Sequence, residues 1–323
     1  MRNTITVYAC GGTGTNIGKL IEGDSQGDAA DLTPFANLIV YYVDTSDSNL
    51  RKDLIGEKHY IFEDLDGSGS DRTRNKTDIA DSVEEILLKL PPGDLSIVIN
   101  STGGGSGSVI GPLIASRLLQ DEKLVICMAT QVNDTVKRLT NTIKVLENYE
   151  AISKLRKKVL PLFLCDNSID SESVVNATIR KAVQMLAILF SGKLDRLDSA
   201  DLDNWINYNK VTSHEFGVAL LDITRELSFS KDATICSVAS IVNSSDVGMK
   251  TEKPLEYNAI GIIDNNNEEF KGKALYFALL DGPIQRAYEL RKSELEESNK
   301  IIKSRKSRQS IANSTSDNDG MVF

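Results

Sequence analysis

The stretch Ser101-Thr102-Gly103-Gly104-Gly105-Ser106-Gly107-Ser108 follows a short run of mostly β-branched residues, Ser96–Asn100, and leads into a helical pattern. Three consecutive glycines among small residues let several successive backbone N–H groups point at one anion. Hydroxyl groups within the stretch can assist, and these belong to Thr102, Ser106 and Ser108. The segment therefore predicts a cradle for a di- or triphosphate at the junction of a buried strand and a helix.

A second glycine-rich stretch, Gly11-Gly12-Thr13-Gly14-Thr15-Asn16, follows the first predicted strand and opens a helix, whose N-terminus offers free N–H groups to an anion. A dinucleotide-dependent oxidoreductase would carry G-x-G-x-x-G here, but Gly12, Gly14 and Gly18 are spaced one residue too far apart. Asp44 could still be the ribose-binding acid of such an enzyme, so this loop alone leaves that class open. The cradle predicted at 101–108 argues against a dinucleotide-dependent oxidoreductase, because such an enzyme has no use for a second phosphate cradle.

Several other chemistries are disfavoured by what the sequence lacks. Neither glycine-rich stretch contains the lysine of the P-loop motif G-x-x-x-x-G-K-[ST]. The charge of a bound phosphate must therefore be met by backbone dipoles and Mg²⁺. With only two histidines in the chain, nucleophilic catalysis that depends on histidine is also disfavoured.

The first half of the chain alternates short runs rich in Val and Ile with longer helical stretches. The runs predict buried strands at Thr4–Ala9, Leu38–Val43, Leu95–Asn100, Leu124–Thr130 and Val159–Cys165. The helical stretches are Ile17–Glu22, Asp78–Leu90, Val109–Leu119 and Thr135–Lys157. Such alternation predicts a parallel sheet covered by helices on both faces. Ligands of such sheets bind at the carboxyl ends of the strands, where both glycine-rich stretches fall.

The second half of the chain has a different pattern. One long helix is predicted from Ser171 to Leu194, and a charged helix from Pro283 to Ser310. Strands predicted between these helices, which we expect to form a second, smaller sheet, are Ala233–Val242, Asn258–Ile263 and Ala274–Leu280. The net charge of −9 argues against a protein that coats nucleic acid. No apolar run approaches the roughly 18 residues that span a bilayer, so a cytoplasmic protein without membrane contact is expected.

The run Gly103–Leu113, together with Gly11–Asn16, resembles the tubulin/FtsZ signature G-G-G-T-G-[ST]-G, with Ser108 in place of the last glycine. The likeness is greatest to the divergent tubulins of large bacteriophages. It implies an α/β fold with a Rossmann-like GTPase domain and a parallel sheet. The implied order is that domain at 1–170, a long central helix at 171–195, a smaller second α/β domain at 196–282, a C-terminal helix at 283–310 and a flexible acidic tail at 311–323.

The resemblance also implies a site for GTP or GDP with Mg²⁺, in which both glycine-rich stretches hold the phosphates. Asn16 and Asn176 would contact the guanine, although either could be a polar residue at a helix end. An acidic residue near the metal would be Asp44, or else Asp47. The loop expected to sense the γ-phosphate contains Gly67, Ser68, Gly69 and Ser70. Residues expected to flank the ribose and phosphates, or to form only an i,i+4 ion pair on a helix, are Asp134 and Arg138.

The spacing of Asp198 and Asp201 would suit two carboxylates that polarise a water molecule for attack on phosphorus. From the residues alone, an N-cap of the following helix is the better interpretation. The resemblance implies instead that these acids are catalytic and complete the active site of the next subunit in a filament. A monomer would then bind GTP but hydrolyse it slowly.

The resemblance finally implies partners and a cellular role. The chain would be its own partner in a head-to-tail homopolymer, with a phage capsid or a DNA-associated adaptor as a further partner and without direct binding of nucleic acid. Tail residues expected to contact the neighbouring subunit, unless the tail is simply solvated, are Asp317, Asp319 and Phe323. The filaments would position phage DNA and capsids in the cytoplasm of an infected bacterium. Plasmid segregation and a non-hydrolysing nucleotide-binding scaffold remain alternatives.

Overall fold

The computed structural model describes residues 3–23, 36–49, 56–62, 65–228, 231–244, 253–263 and 274–306. The strands within these ranges are β1 Thr4–Cys10, β2 Asn37–Asp44, β3 His59–Ile61, β4 Leu95–Ser101, β5 Leu124–Gln131, β6 Leu160–Asp166, β7 Val218–Thr224, β8 Thr234–Asn243, β9 Asn258–Ile263 and β10 Leu275–Asp281. The α-helices are α1 Gly11–Glu22, α2 Lys76–Lys89, α3 Gly107–Gln120, α4 Val136–Arg156, α5 Glu172–Leu189, α6 Ser199–Ile206 and α7 Pro283–Lys306.

The ten described strands form one sheet in the order β3-β2-β1-β4-β5-β6-β7-β10-β8-β9. From β3 to β7 every neighbouring pair is parallel, and only β10 runs antiparallel to its neighbours β7 and β8. The predicted α/β class and all eight predicted strands are confirmed. The expectation of a separate second sheet is wrong, because Leu160–Leu162 of β6 pair with Val218–Leu220 of β7 and make the sheet continuous.

Helices cover both faces of the sheet, as the uninterrupted apolar strands require. On one face an apolar cluster joins α1, α5 and α6 to the sheet, and Trp205 of α6 is fully buried in it. On the other face a second cluster is formed with α2, α3, α4 and the first turn of α7, including Ile110 and Leu146. Each face of the sheet therefore has its own core. The packed helices hold the loops in place at the two ends of the strands.

The central helix α5 runs from the carboxyl edge of the sheet, where the parallel strands end, to the amino edge, where they begin. It begins after the carboxyl end of β6, where the Ser171 side chain caps its N-terminus by accepting from the N–H of Val174. It ends beside the amino end of β1, where Asn3 Nδ2 donates to the carbonyl of Phe190 at 2.9 Å. The predicted end at Leu194 is five residues too late, because the chain turns at Gly192 with a φ of +65°.

The helical stretch predicted at Ile17–Glu22 extends back to Gly11, so the glycine-rich stretch, which was expected to open a helix, is the first turn and a half of α1. The acidic tail at 311–323, with Asp317, Asp319 and Phe323, lies outside the described residues. In the described part of the chain, no helix combines the length and the apolar character needed to cross a membrane.

Candidate functional site

The two glycine-rich stretches meet backbone to backbone at the carboxyl edge of the sheet. Gly11 has a φ of +70°, and a Cβ added to it would lie 2.7 Å from both N and Cα of Gly107. A Cβ added to Gly107 would lie 2.5 Å from the carbonyl oxygen of Cys10. Neither position can hold a side chain without moving the other loop. The two predicted phosphate loops are therefore parts of one site.

Helices α1 and α3 both start at this site. Gly14 brings the first turn of α1 against the strand ends, since a Cβ there would lie 2.7 Å from the carbonyl oxygen of Ile99. Neither helix has an acidic residue in its first turn or a side chain that caps its N-terminus by a hydrogen bond. The first backbone N–H groups of both helices are thus not occupied by a capping side chain and can bind an anion, which the positive ends of the helix dipoles attract.

Three buried hydroxyl groups from three different loops meet beside the glycines. Thr45 Oγ1 and Ser106 Oγ lie 2.5 Å apart, and Ser106 Oγ donates to Ser68 Oγ at 3.2 Å. Ser68 and Ser106 were predicted site residues, and the structure brings them together. Thr45 was missed, and the available signal was its place directly after Asp44 at the end of a strand.

Asp44 is a buried carboxylate next to these hydroxyls, whereas its alternative Asp47 is exposed. The N–H of Thr45 donates to Asp44 Oδ1 at 2.8 Å, yet burial outweighs this bond and raises the pKa of Asp44 to about 6. Within the described ranges no basic side chain lies at ion-pair distance from it. A buried carboxylate without a counter-charge suits a divalent cation.

A cation at Asp44 would need oxygen ligands from the nucleotide as well. The described residues contain no group of three or more His, Cys, Asp or Glu side chains that could hold a metal. Mg²⁺ is commonly bound by one or two carboxylates together with water and substrate phosphates. The donor set at this edge, one carboxylate and several hydroxyls beside a phosphate cradle, fits that pattern.

We expect the substitution Asp44→Asn to stabilise the nucleotide-free protein while weakening Mg²⁺-dependent nucleotide binding. The folded pKa of about 6 lies above the usual 3.8 of an aspartate, so the charged carboxylate destabilises the folded state at neutral pH. The gain in free energy of unfolding should be at most about 3 kcal/mol at pH 7.5 and should shrink as the pH falls from about 6 towards 4.

Chemical denaturation of both proteins at pH 7.5 and pH 4.5, without nucleotide, measures this difference. A gain that is equal at both pH values would show that the buried charge is not its cause.

The loop that contains Gly67, Ser68, Gly69 and Ser70 packs over the glycine-rich stretch. A Cβ at Gly105 would overlap Ser68 Oγ and would lie 3.0 Å from the backbone N of Asp71. Both Gly69 and Ser70 have a positive φ, of +55° and +60°. The predicted γ-phosphate loop therefore contacts the predicted phosphate cradle directly.

The two asparagines predicted at the guanine differ in their surroundings. Asn16 is exposed on α1, whereas Asn176 is buried on α5, and these two helices pack against each other. Asn176 Oδ1 is buried without a hydrogen-bond partner. Because a buried acceptor is nearly always paired in a folded protein, this oxygen suits an N–H donor of a bound base.

Asp134 and Arg138 form an exposed i,i+4 ion pair with a distance of 2.8 Å. The structure thus agrees with the simpler interpretation of these two residues, an i,i+4 ion pair on the surface of a helix. Arg138 nevertheless borders the cradle, because a Cβ at Gly103 would lie 3.2 Å from Arg138 Cβ. Its contact with a ribose or phosphate stays a prediction.

Asp198 and Asp201 lie far from this site, after the opposite end of α5. They form a capping box at the start of α6, in which Asp198 Oδ1 accepts from the N–H groups of Ala200 and Asp201 at 2.8 and 3.0 Å. Asp201 Oδ2 accepts in return from the N–H of Asp198 at 3.1 Å. Within one chain these acids form a helix cap at the amino edge of the sheet, and the cradle lies at the carboxyl edge.

The family model described as "Tubulin/FtsZ family, GTPase domain" matches residues 4–168, the segment that contains both glycine-rich stretches. The chain belongs to the tubulin/FtsZ family. The phage tubulin-like protein of Pseudomonas phage PhiPA3 is 32% identical over 217 residues, which cover 63% of this chain and 61% of that protein. The phage tubulin-like protein of Pseudomonas phage phiKZ is 30% identical over 217 residues, covering 63% of each.

Among solved structures, the protofilament of TubZ from bacteriophage PhiKZ is similar with a TM-score of 0.80 and 26% identity, covering 99% of this chain and 97% of that one. The family, the α/β fold and a tubulin/FtsZ GTPase domain at residues 4–168 are thereby confirmed. The sequence match spans a little over three fifths of the curated relatives' length.

Proposed function

We propose that this protein is a GTPase that polymerises head to tail and hydrolyses GTP between neighbouring subunits. The observation that carries the proposal is the position of the two predicted half-sites. The cradle formed around Gly11 and Gly107 lies at the carboxyl edge of the sheet, and the acids Asp198 and Asp201 follow the helix that ends at the amino edge. Two half-sites on opposite edges can meet only between copies of the chain.

In the nucleotide half-site, the N–H groups of the glycine-rich stretches and helix N-termini would bind the phosphates, and Mg²⁺ held near Asp44 would offset their charge. Asn176, with its unpartnered Oδ1, would read the guanine edge. The contact between the two loops also argues against a dinucleotide-dependent oxidoreductase, because such a fold binds its pyrophosphate at a single glycine-rich turn, whereas here two glycine-rich loops form one cradle. A nicotinamide or flavin absorbance in the purified protein would favour that alternative.

In the catalytic half-site, the carboxylates of Asp198 and Asp201 would orient the attacking water on the nucleotide of the next subunit. Capping occupies Oδ1 of Asp198 and Oδ2 of Asp201, and a carboxylate has further lone pairs for water. Tyr257 lies at this site, with its hydroxyl 3.3 Å from the carbonyl of Asp201. The capping box would thus hold both acids in position, so the structural and the catalytic interpretations are compatible.

Similarity to the phage tubulin-like proteins, and to a solved protofilament of TubZ from bacteriophage PhiKZ, supports a proposal for the cellular role. We propose that filaments of this protein position phage DNA and capsids in the cytoplasm of the infected bacterium, through a capsid or adaptor partner. Plasmid segregation would use the same filament chemistry. Asp317, Asp319 and Phe323 are proposed contacts of the tail with the neighbouring subunit.

Light scattering with GTP, GDP or a non-hydrolysable GTP analogue, with phosphate release followed in parallel, tests the proposed function. We expect GTP and the analogue to induce assembly, GDP not to, and phosphate release to begin only when scattering rises. Assembly to the same extent with GTP, GDP and the analogue, or nucleotide binding without any phosphate release, would favour a non-hydrolysing scaffold instead.

A further inference from the structure

The side chain of Asn141, a residue of α4 that no sequence motif marks, donates hydrogen bonds to both the phosphate cradle and the loop that packs over it. Its side chain is buried, and Nδ2 donates to the carbonyl oxygens of Ser70 at 2.9 Å, Gly103 at 3.1 Å and Gly104 at 3.2 Å. Two amide hydrogens serve three acceptors, so at least one of them is shared. One side chain therefore ties two loops that are about thirty residues apart in the sequence.

The direction in which these carbonyls point fixes the direction of the N–H groups that follow them. In a planar trans peptide the C=O of one residue and the N–H of the next point to opposite sides. Because the carbonyls of Gly103 and Gly104 point towards Asn141, the N–H groups of Gly104 and Gly105 point away from α4. A row of N–H groups facing one side is the geometry of an anion-binding nest.

The third acceptor, the carbonyl of Ser70, belongs to the loop that packs over Gly105. Ser70 has a φ of +60°, a conformation that a residue other than glycine keeps only when its surroundings hold it. A neighbouring arginine strengthens the connection: Arg72 NH2 donates to the carbonyl of Ser108 at 3.2 Å, and its NH1 to the backbone carbonyl of Asn141 at 3.5 Å. Residues 65–71 form this loop, which we call the 65–71 loop. Its position thus depends on the side-chain amide of Asn141, the same group that orients the cradle.

We propose that Asn141 is a positioning residue that couples the 65–71 loop to the glycine cradle, so that the preference for GTP over GDP depends on its side-chain amide. The inference rests on the proposed function, because it assumes that the cradle binds the β- and γ-phosphates of GTP. Without the amide, the carbonyls of Ser70, Gly103 and Gly104 lose their common donor, and the loop and cradle can move independently. GDP, which has no γ-phosphate, needs the cradle but not the loop.

Binding of fluorescent GTP and GDP to the substitutions Asn141→Ala and Asn141→Asp, with Mg²⁺ and below the assembly concentration, tests the coupling. We expect Asn141→Ala to lower the affinity for GTP by about tenfold and that for GDP by much less. Asn141→Asp keeps the shape but places a carboxylate against three carbonyls, so it should lower the GTP preference further. The matched control is Ile143→Val, a small deletion at a buried position of the same helical turn, which should leave the ratio of the two affinities unchanged.

Equal losses of GTP and GDP affinity in Asn141→Ala, or an altered ratio in Ile143→Val as well, would overturn the coupling. Hydrogen exchange of the unsubstituted protein gives a second test that needs no variant. GTP should slow exchange in the 65–71 loop and the 103–105 cradle together, and GDP mainly in the cradle. Protection of the cradle by GTP without the loop would contradict this inference alone, whereas no GTP binding at all would contradict the proposed function too.

Discussion

Replacing Asp201 with asparagine should lower GTP turnover in filaments by about a hundredfold or more, the usual contribution of a residue that positions the attacking water or its proton. Asparagine keeps an oxygen that can accept from the N–H of Asp198, so the capping box survives and the change removes mainly the charge. The filaments should still assemble with GTP and should persist longer, because the nucleotide between subunits is no longer hydrolysed. Phosphate release and light scattering on one sample measure both effects.

The matched control is Asp203→Asn, on the same short helix. Asp203 accepts from Lys210 at 2.7 Å and from Asn207 at 2.8 Å, contacts that belong to the fold of one subunit. Turnover in this variant should stay close to that of the unsubstituted protein. If Asp201→Asn hydrolyses GTP at the normal rate and melts at the normal temperature, Asp201 serves only as part of a helix cap.

Replacing Gly107 with alanine should remove nucleotide binding at micromolar concentrations. The added methyl group would lie 2.5 Å from the carbonyl oxygen of Cys10 and 3.3 Å from Cα of Gly11, both backbone atoms of the opposing loop. Overpacking of this kind costs about 1–3 kcal/mol, and here it separates the two halves of the cradle. A loss of about 3 kcal/mol corresponds to about a hundredfold weaker binding, which titration with a fluorescent guanine nucleotide measures.

Gly217→Ala provides the control for this substitution. A Cβ at Gly217 has no other atom within 4 Å, so the variant carries the general effect of replacing glycine without the clash. It should bind nucleotide normally. Tight binding of GTP by Gly107→Ala would show that the two glycine loops do not act as one phosphate site.

The parts of the fold that sequence predicts are those set by local physical chemistry. Uninterrupted runs such as Leu95–Asn100 identify the parallel strands because both faces of the sheet are buried. The glycine-rich stretches identify the cradle because no other residue permits the close backbone contacts made by Gly11, Gly14 and Gly107. Strand β7, Val218–Thr224, was not predicted because Asp222, which is exposed, interrupts its run of apolar residues.

What sequence could not predict are contacts between distant segments. The continuity of the sheet depends on three residue pairs between β6 and β7, and the hydrophobic periodicity of the sequence does not indicate this pairing. The role of Asn141 depends on carbonyls about 40 and 70 residues earlier in the chain. Helical periodicity alone begins only at Ile17, because glycine disfavours helix interiors, whereas α1 includes the glycines from Gly11 because their small size is needed where two loops meet.

The central claim, that each active site is formed by two copies of the chain, is tested most directly by mixing two inactive variants. Gly107→Ala should lack nucleotide binding but keep intact acids, and Asp201→Asn should bind GTP but fail to hydrolyse it. We predict that equimolar mixing restores phosphate release above that of either variant alone, because nucleotide held by one chain meets Asp201 of the other. A mixture that releases phosphate no faster than the sum of its components would contradict the claim.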